Sequence, residues 1–359
     1  MAGTIGPGRL AADAAEAVPV TFLRVGIIGC GRISAGHVQA LLAQPGVRIA
    51  AAADLDLARL AALAQHVPQP IETFSDYRLM IERVPLDAVL VLTPHSLHYE
   101  QVLAGLQADL HVLAEKPLVA APAQALELIQ LAQARQRVLH VAYQFPLLQP
   151  YYYARQAVMQ GALGEIDYFS AVASLAWHRL DSVWRKQPDL AEGGIMIDTG
   201  SHLVDLMLHL TNLRVREIMA FTDQYGEAVE VFTSVIVRFE NDRLGSIALI
   251  GEGPFLWELT VVGRQGAITI RDRNTIQHWS AADYSVGLKP DALNLAAGVM
   301  DDRTVRSTPA QEFVRAIRTG DTSTANAQRA LEIAQVVQAI YESVRTRRPV
   351  LLASDPLRR

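Results

Sequence analysis

Apolar and polar positions follow two different rhythms along this chain. From Phe22 to Ala142, short apolar runs recur at Phe22–Ile28, Val47–Ala53, Ala88–Leu92, Leu110–Leu113 and Val138–Ala142. Between them lie Ala- and Leu-rich segments long enough for helices: Ser34–Ala43, Asp56–Gln65, Ser96–Gln107 and Pro122–Arg135. Near-continuous apolar strands leave no face for water. This rhythm therefore predicts a parallel sheet covered by helices on both sides.

After Ala142 the pattern changes. Pro146–Gln160 reads as helix, Glu165–Ala176 as extended chain, and Gly194–Leu210 as one strong helix. From Arg214 onward strand patterns follow one another: Ala228–Glu240, Arg243–Ile250, Leu256–Val262 and Ala267–Arg271. In the first of these, Val229, Val231, Thr233, Val235, Val237 and Phe239 share one face by alternation. Asn241–Asp242 supplies a turn into the next strand. The pattern predicts an antiparallel meander. Phe232 and Ile236 stand among charges on its other face, either as isolated apolar residues or as contacts for a second sheet or subunit. Ser280–Ser307 is weakly patterned and reads as loop. A final helix over Ala325–Val344 carries one apolar stripe that packs back on the body.

The fold class expected is thus α/β, with residues 22–142 as a nucleotide-binding domain and 143–359 as an α+β domain. Residues 1–21 are expected to be a loose Gly/Ala-rich leader without the apolar core of a secretory signal. A length of 359 residues with 50% hydrophobic content suits two cores. A net charge of −5 argues against a chain built to coat nucleic acid or an acidic membrane. Cys30 is the sole cysteine, which excludes an internal disulfide and a multi-cysteine zinc site. The expectation is a cytoplasmic protein with no membrane span and no metal centre.

Candidate chemistry begins at Gly29-Cys30-Gly31-Arg32-Ile33-Ser34, directly after the first strand and opening a helix. Residues without side chains let backbone N–H groups approach a pyrophosphate at a helix N-terminus. Ser34 is a small substitute for the usual third glycine. Asp54 ends the second strand, where a carboxylate hydrogen-bonds a ribose and repels a 2′-phosphate. NAD is therefore expected in preference to NADP. Gly29, Gly31, Arg32, Ile33 and Asp54 are the cofactor-binding candidates here. Thr93-Pro94-His95-Ser96-Leu97-His98 follows the third strand on the same rim; either Thr93 bonds cofactor, with Pro94 stiffening the turn, or Thr93 or Ser96 caps the next helix. His98 is a further candidate, although histidines here read more simply as structural. Glu115-Lys116-Pro117 follows the fourth strand, and its proline keeps Lys116 out of helix.

A second constellation is Gly193-Gly194-Ile195-Met196-Ile197-Asp198-Thr199-Gly200-Ser201-His202. On a regular helix Asp198 and His202 are neighbours, and a carboxylate beside an imidazole can orient it. Asp205 and His209 repeat the spacing. The first pair is preferred because its glycines admit a ligand or another chain.

Taken in order, VGIIGCGRIS, TPHSLHYE, AEKPL and GGIMIDTGSHLVD resemble the Gfo/Idh/MocA oxidoreductases, over roughly Phe22 to Leu351. The resemblance implies a Rossmann domain, then a domain with an open, mostly antiparallel sheet that often forms a homodimer or homotetramer. It implies a nicotinamide cofactor bound in part by Glu115 and Lys116, and a sugar or polyol substrate. It places the catalytic lysine at Lys116 and the aspartate and histidine at Asp198 and His202. Gln144 stands where such proteins often carry an Asn followed by a basic residue, and no arginine follows promptly. Gln144, Trp177 and Arg179 are the substrate-binding candidates; Trp177 stacks on a sugar face or packs in the core. Two competing readings are an NAD-using glycosidase of the same fold and a non-enzymatic nucleotide sensor.

Overall fold

The computed structural model describes residues 22–180, 183–280, 291–293 and 306–352. The leader, and most of Ser280–Ser307, lie outside the described residues. In the first unit, strands β1 (Leu23–Ile28), β2 (Val47–Ala53), β3 (Glu72–Phe74), β4 (Ala88–Val91), β5 (His111–Ala114) and β6 (Leu139–Val141) alternate with helices α1 (Ser34–Leu42), α2 (Leu57–Ala64), α3 (Tyr77–Arg83), α4 (His98–Gln107) and α5 (Pro122–Ala134). The strands pair in parallel, in the order β3-β2-β1-β4-β5-β6. This is the doubly wound arrangement that the apolar rhythm predicts.

Alternation along the strands explains the continuous apolar runs. Val25 and Ile27 of β1 and Leu90 of β4 enter one core with Val38 and Leu41 of α1. Val89 and Val91 enter the opposite core with Val102 and Leu106 of α4 and Leu128 of α5. Each such side chain contributes roughly 1.5–3 kcal/mol of burial free energy, so neither strand face tolerates charge.

The second unit follows with α6 (Gln149–Met159), β7 (Ile166–Ser174), α7 (Pro188–Ala191), a π-helical turn over Met196–Gly200, and α8 (Ser201–Thr211). Strands β8 (Val215–Asp223), β9 (Phe232–Phe239), β10 (Leu244–Ile250), β11 (Leu256–Gly263), β12 (Gly266–Arg271), β13 (Thr275–Ser280) and β14 (Asp291–Leu293) come next. The described chain closes with α9 (Pro309–Thr319), α10 (Ala325–Thr346) and β15 (Val350–Leu351). The nine-stranded sheet runs β14-β13-β12-β11-β7-β10-β9-β8-β15.

Three expectations need correction here. The sheet is not a simple meander, because β7 inserts between β10 and β11 and runs parallel to β10. The helix expected over Gly194–Leu210 is broken by the π turn, so its i, i+4 geometry fails around Asp198. Asp291–Leu293 is not loop but pairs with β13. The alternation itself holds: Val229, Val231, Thr233, Val235, Val237 and Phe239 are all buried, whereas Ile236 is exposed.

Helix α9 escaped the sequence reading, although Thr308 and Gln311 form a capping box at its start. It lies on the first sheet, with Phe313 and Val314 in the same core as Val25. Helix α10 packs against α5 and β6 on one side and α8 and β8 on the other, bracing the two units together.

Candidate active site

The strand order reverses direction between β1 and β4, and the loops leaving these strands open a crevice at their carboxyl ends. Gly29 sits there at φ +91°, and a Cβ on it would press on the Leu92 backbone and on Thr93. A Cβ on Gly31 would enter open space. Ser34 is buried and its Oγ donates to the Gly31 carbonyl at 2.7 Å, which holds the turn. Arg32 and Ile33 are exposed beside it, and no side chain caps α1. Uncapped N–H groups behind a glycine turn suit a diphosphate.

Asp54 closes that loop from the neighbouring strand. Its Oδ2 accepts from the Cys30 N–H at 2.6 Å and its Oδ1 from the Asp56 N–H at 2.9 Å. A carboxylate fixed beside the glycine turn fits a ribose diol, so the residues present fit a dinucleotide.

The other rim residues mostly hold one another. Thr93 Oγ1 donates to Gln101 Oε1 at 2.6 Å, and Pro94 leads into a short 3₁₀ turn over His95–Leu97. His98 is buried between the carbonyls of Thr93 and Pro117, its ring nitrogens 2.9 and 2.7 Å from them. It ties two rim loops together and faces away from the crevice's solvent, which favours the structural reading of this histidine. Glu115 Oε1 accepts from His37 Nε2 of α1 at 2.8 Å. Burial alone would raise the Glu115 pKa, but His37 and Lys116 outweigh it and hold the carboxyl below its usual range.

Lys116 crosses from the first unit to the second. Its Nζ donates to the Asp198 carbonyl at 2.8 Å and to Asp198 Oδ1 at 2.9 Å. Asp198 Oδ2 accepts from Trp177 Nε1 at 2.8 Å and from Arg185 Nε at 3.1 Å. Burial opposes ionisation of Asp198, but Lys116, Arg185, His95 and the Trp177 hydrogen bond overrule it and hold the carboxylate charged. No bond joins Asp198 to His202. The expectation that this carboxylate orients the imidazole is therefore corrected: it orients the lysine.

His202 opens α8 and is only 8% exposed. The ring lies edge-on to Phe145 at 5.0 Å and to Tyr143 at 5.9 Å, and its Nδ1 is buried without a partner. Burial, reinforced by the Lys116 charge, pushes the imidazole well below its usual pKa, so it is neutral at pH 7.

Trp177 is buried to 1% exposure. The stacking role weighed for it is corrected, since its ring faces the core and its N–H anchors Asp198. Arg179 is exposed and pairs with Glu252, outside this cluster. Gln144 is half-buried on the turn before Phe145. Asp205 and His209, the pair of equal spacing, are both taken by Arg329, at 3.3 and 2.5 Å.

Sequence reasoning missed Arg185 and Glu230. Glu230 Oε1 accepts from the N–H groups of Gly194 and Met196, at 2.9 and 3.1 Å, and from the Tyr341 hydroxyl at 2.8 Å. It thereby caps the π turn that bears Asp198. The tight glycines serve this contact: a Cβ on Gly193 would strike Tyr341, and one on Gly194 the Glu230 backbone.

Comparison with known proteins finds matches for both units. Residues 23–143 match the family model described as "Oxidoreductase family, NAD-binding Rossmann fold", and residues 151–269 match "GFO/IDH/MocA C-terminal domain". The D-glucoside 3-dehydrogenase of Escherichia coli K12 is 26% identical over 90% of this chain and 96% of its own. The myo-inositol 2-dehydrogenase of Thermotoga maritima is 27% identical over 63% of this chain and 67% of its own. Among solved structures, levoglucosan dehydrogenase in complex with NADH and levoglucosan superimposes with a TM-score of 0.82 at 21% identity, covering 92% of this chain and 100% of that one.

Proposed function

The chain belongs to the Gfo/Idh/MocA oxidoreductase family, and from that premise we propose that it interconverts a secondary alcohol and a ketone on a sugar or cyclic polyol. The observation that carries this reading is the Lys116 ammonium held by Asp198 close to a neutral, buried imidazole. Bound NAD would supply the hydride acceptor for alcohol oxidation. The chain's own residues do the rest.

Gly29–Ile33 and the start of α1 hold the diphosphate, Asp54 takes the ribose hydroxyls, and Thr93, Pro94 and Glu115 shape the rim. Lys116 has three ammonium protons, and two are spent on Asp198. The third is available to a substrate oxygen, where it stabilises the negative charge that develops as the hydroxyl proton departs. His202, being neutral, can accept that proton as general base. Trp177 and Arg185 keep Asp198 ionised, and Asp198 keeps Lys116 aimed. All three are positioning residues.

Oligomerisation is a second part of the proposal. Tyr168, Phe221, Ile236 and Leu244 are exposed on the face of the large sheet turned away from its core. We take this face as the contact with a second copy; monomer alone in light scattering would reject it.

The direct test is a turnover screen with inositols, aldoses, glycosides and uronic acids, following NADH absorbance with NAD and NADP in parallel. Cofactor reduction that disappears in His202→Ala and Lys116→Ala is expected, with NAD preferred. Full turnover in both variants would overturn the assignment, and tighter NADP binding would overturn the reading of Asp54.

A further inference from the structure

The turn between β12 and β13 carries an arginine that has no hydrogen-bond or ion-pair partner among the described residues. Asp272 and Arg273 are its central residues, at φ +49° and +67°, a conformation in which Asn-Gly is at ease and a longer side chain is crowded. The Arg273 guanidinium carbon lies 5.4, 5.1 and 4.7 Å from the ring centroids of Phe145, Phe255 and Trp257. Aromatic faces hold a cation without using its N–H donors. Among the described residues the guanidinium makes no hydrogen bond and no ion pair, and its Nε is buried without an acceptor. Neighbouring Arg271, by contrast, is bound to Glu258 at 2.6 Å.

The register brings this charge to the end of the sheet that faces the crevice. Ser174, which ends β7 just before Trp177, pairs with Leu256 of β11, and Glu258 of β11 pairs with Arg271. The 272–274 turn and Trp177 therefore share one sheet end. Phe145 links the arginine to His202. Its centroid is 5.0 Å from the imidazole centroid and 5.4 Å from the guanidinium carbon, and these two steps cap the separation. A sugar ring with one substituent, hydrogen-bonded at both ends, reaches across it.

We infer that Arg273 binds a carboxylate of the substrate, which makes the substrate class a sugar acid: a ring alcohol at His202 and Lys116, an anionic substituent at the aromatic-held guanidinium. A guanidinium whose donors are not taken by hydrogen bonds among the described residues suits a planar, bidentate partner. This rests on the proposed dehydrogenase reading for the alcohol end only.

Calorimetry on the full, NADH-loaded chain tests it. The probes are D-glucuronate and D-galacturonate, each against its neutral sugar and the 6-phosphate of that sugar. At least one acid is expected to bind about tenfold or more tighter than its neutral counterpart. Arg273→Met, which keeps the aliphatic stem, should bring that ratio to within about twofold of unity. Arg273→Lys, which keeps the charge without the fork, should fall between, and it is the variant to read if Arg273→Met melts early. An unchanged ratio in both variants, tighter binding of a phosphate, or no binding of any acid overturns the inference. NAD reduction is scored separately. An acid that binds through Arg273 yet gives no turnover counts against the dehydrogenase reading alone.

Discussion

Protonation state decides what each polar residue in the crevice can do. His202 is pushed below its usual pKa by burial and then by Lys116, so its neutral, proton-accepting form persists as pH falls through about 6.5. The expected profile of kcat/KM for alcohol oxidation therefore has no acid limb from this group between about pH 8 and pH 6. A limb centred near pH 6.5 that vanishes in His202→Asn would contradict it. Trp177 offers a second check. Trp177→Phe keeps the buried ring but deletes the Nε1 donor to Asp198, and should lower kcat about tenfold while leaving NAD affinity unchanged. A rise in KM with kcat intact would instead point to substrate contact.

Among the elements, the π turn over Met196–Gly200 matters most. It stands where a regular helix was expected, and its start hangs on Glu230, whose pKa burial raises. Glu230→Ala removes one acceptor from two buried N–H groups and from the Tyr341 hydroxyl. The expected cost is about 2–4 kcal/mol, read as a lower urea midpoint at unchanged m. Loss of less than about 0.5 kcal/mol would mean that water or a neighbour replaces the cap. The strands were easier to anticipate than this turn. Val235 and Ile236 reveal their faces by simple alternation, whereas a π turn of five residues leaves no periodic signature.

Over the whole molecule, buried histidines govern the response to acid. Burial depresses His95 and His209 to about 3 and His140 to about 4, with His98 and His202 also lowered. A folded-state pKa below the unfolded one means that the unfolded chain binds more protons between the two values. Stability is then lost as pH falls below about 6.5. Asp205, raised to about 6 by burial, works the other way, as does Glu230, but the histidines outnumber them. The free energy of unfolding should fall by at least about 2 kcal/mol from pH 7 to pH 5. Equal urea midpoints at the two values would refute this.

By itself the sequence determined what depends on neighbours in the chain. The apolar runs and their alternation specify the parallel sheet, and the glycine turn, Asp54 and Lys116 stand at fixed offsets from strand ends. Their gathering at one crevice follows from the strand order. Only the tertiary structure decided which groups pair. Lys116 meets Asp198 from 82 positions away, Trp177 turns its N–H to the same carboxylate, and Glu230 reaches back to Gly194. The insertion of β7 between β10 and β11 and the return of α9 to the first sheet are likewise invisible to local pattern. Periodicity reports which side of an element is apolar. It does not report which distant segment supplies the partner, because that choice minimises the burial of unpaired polar groups over the whole chain at once.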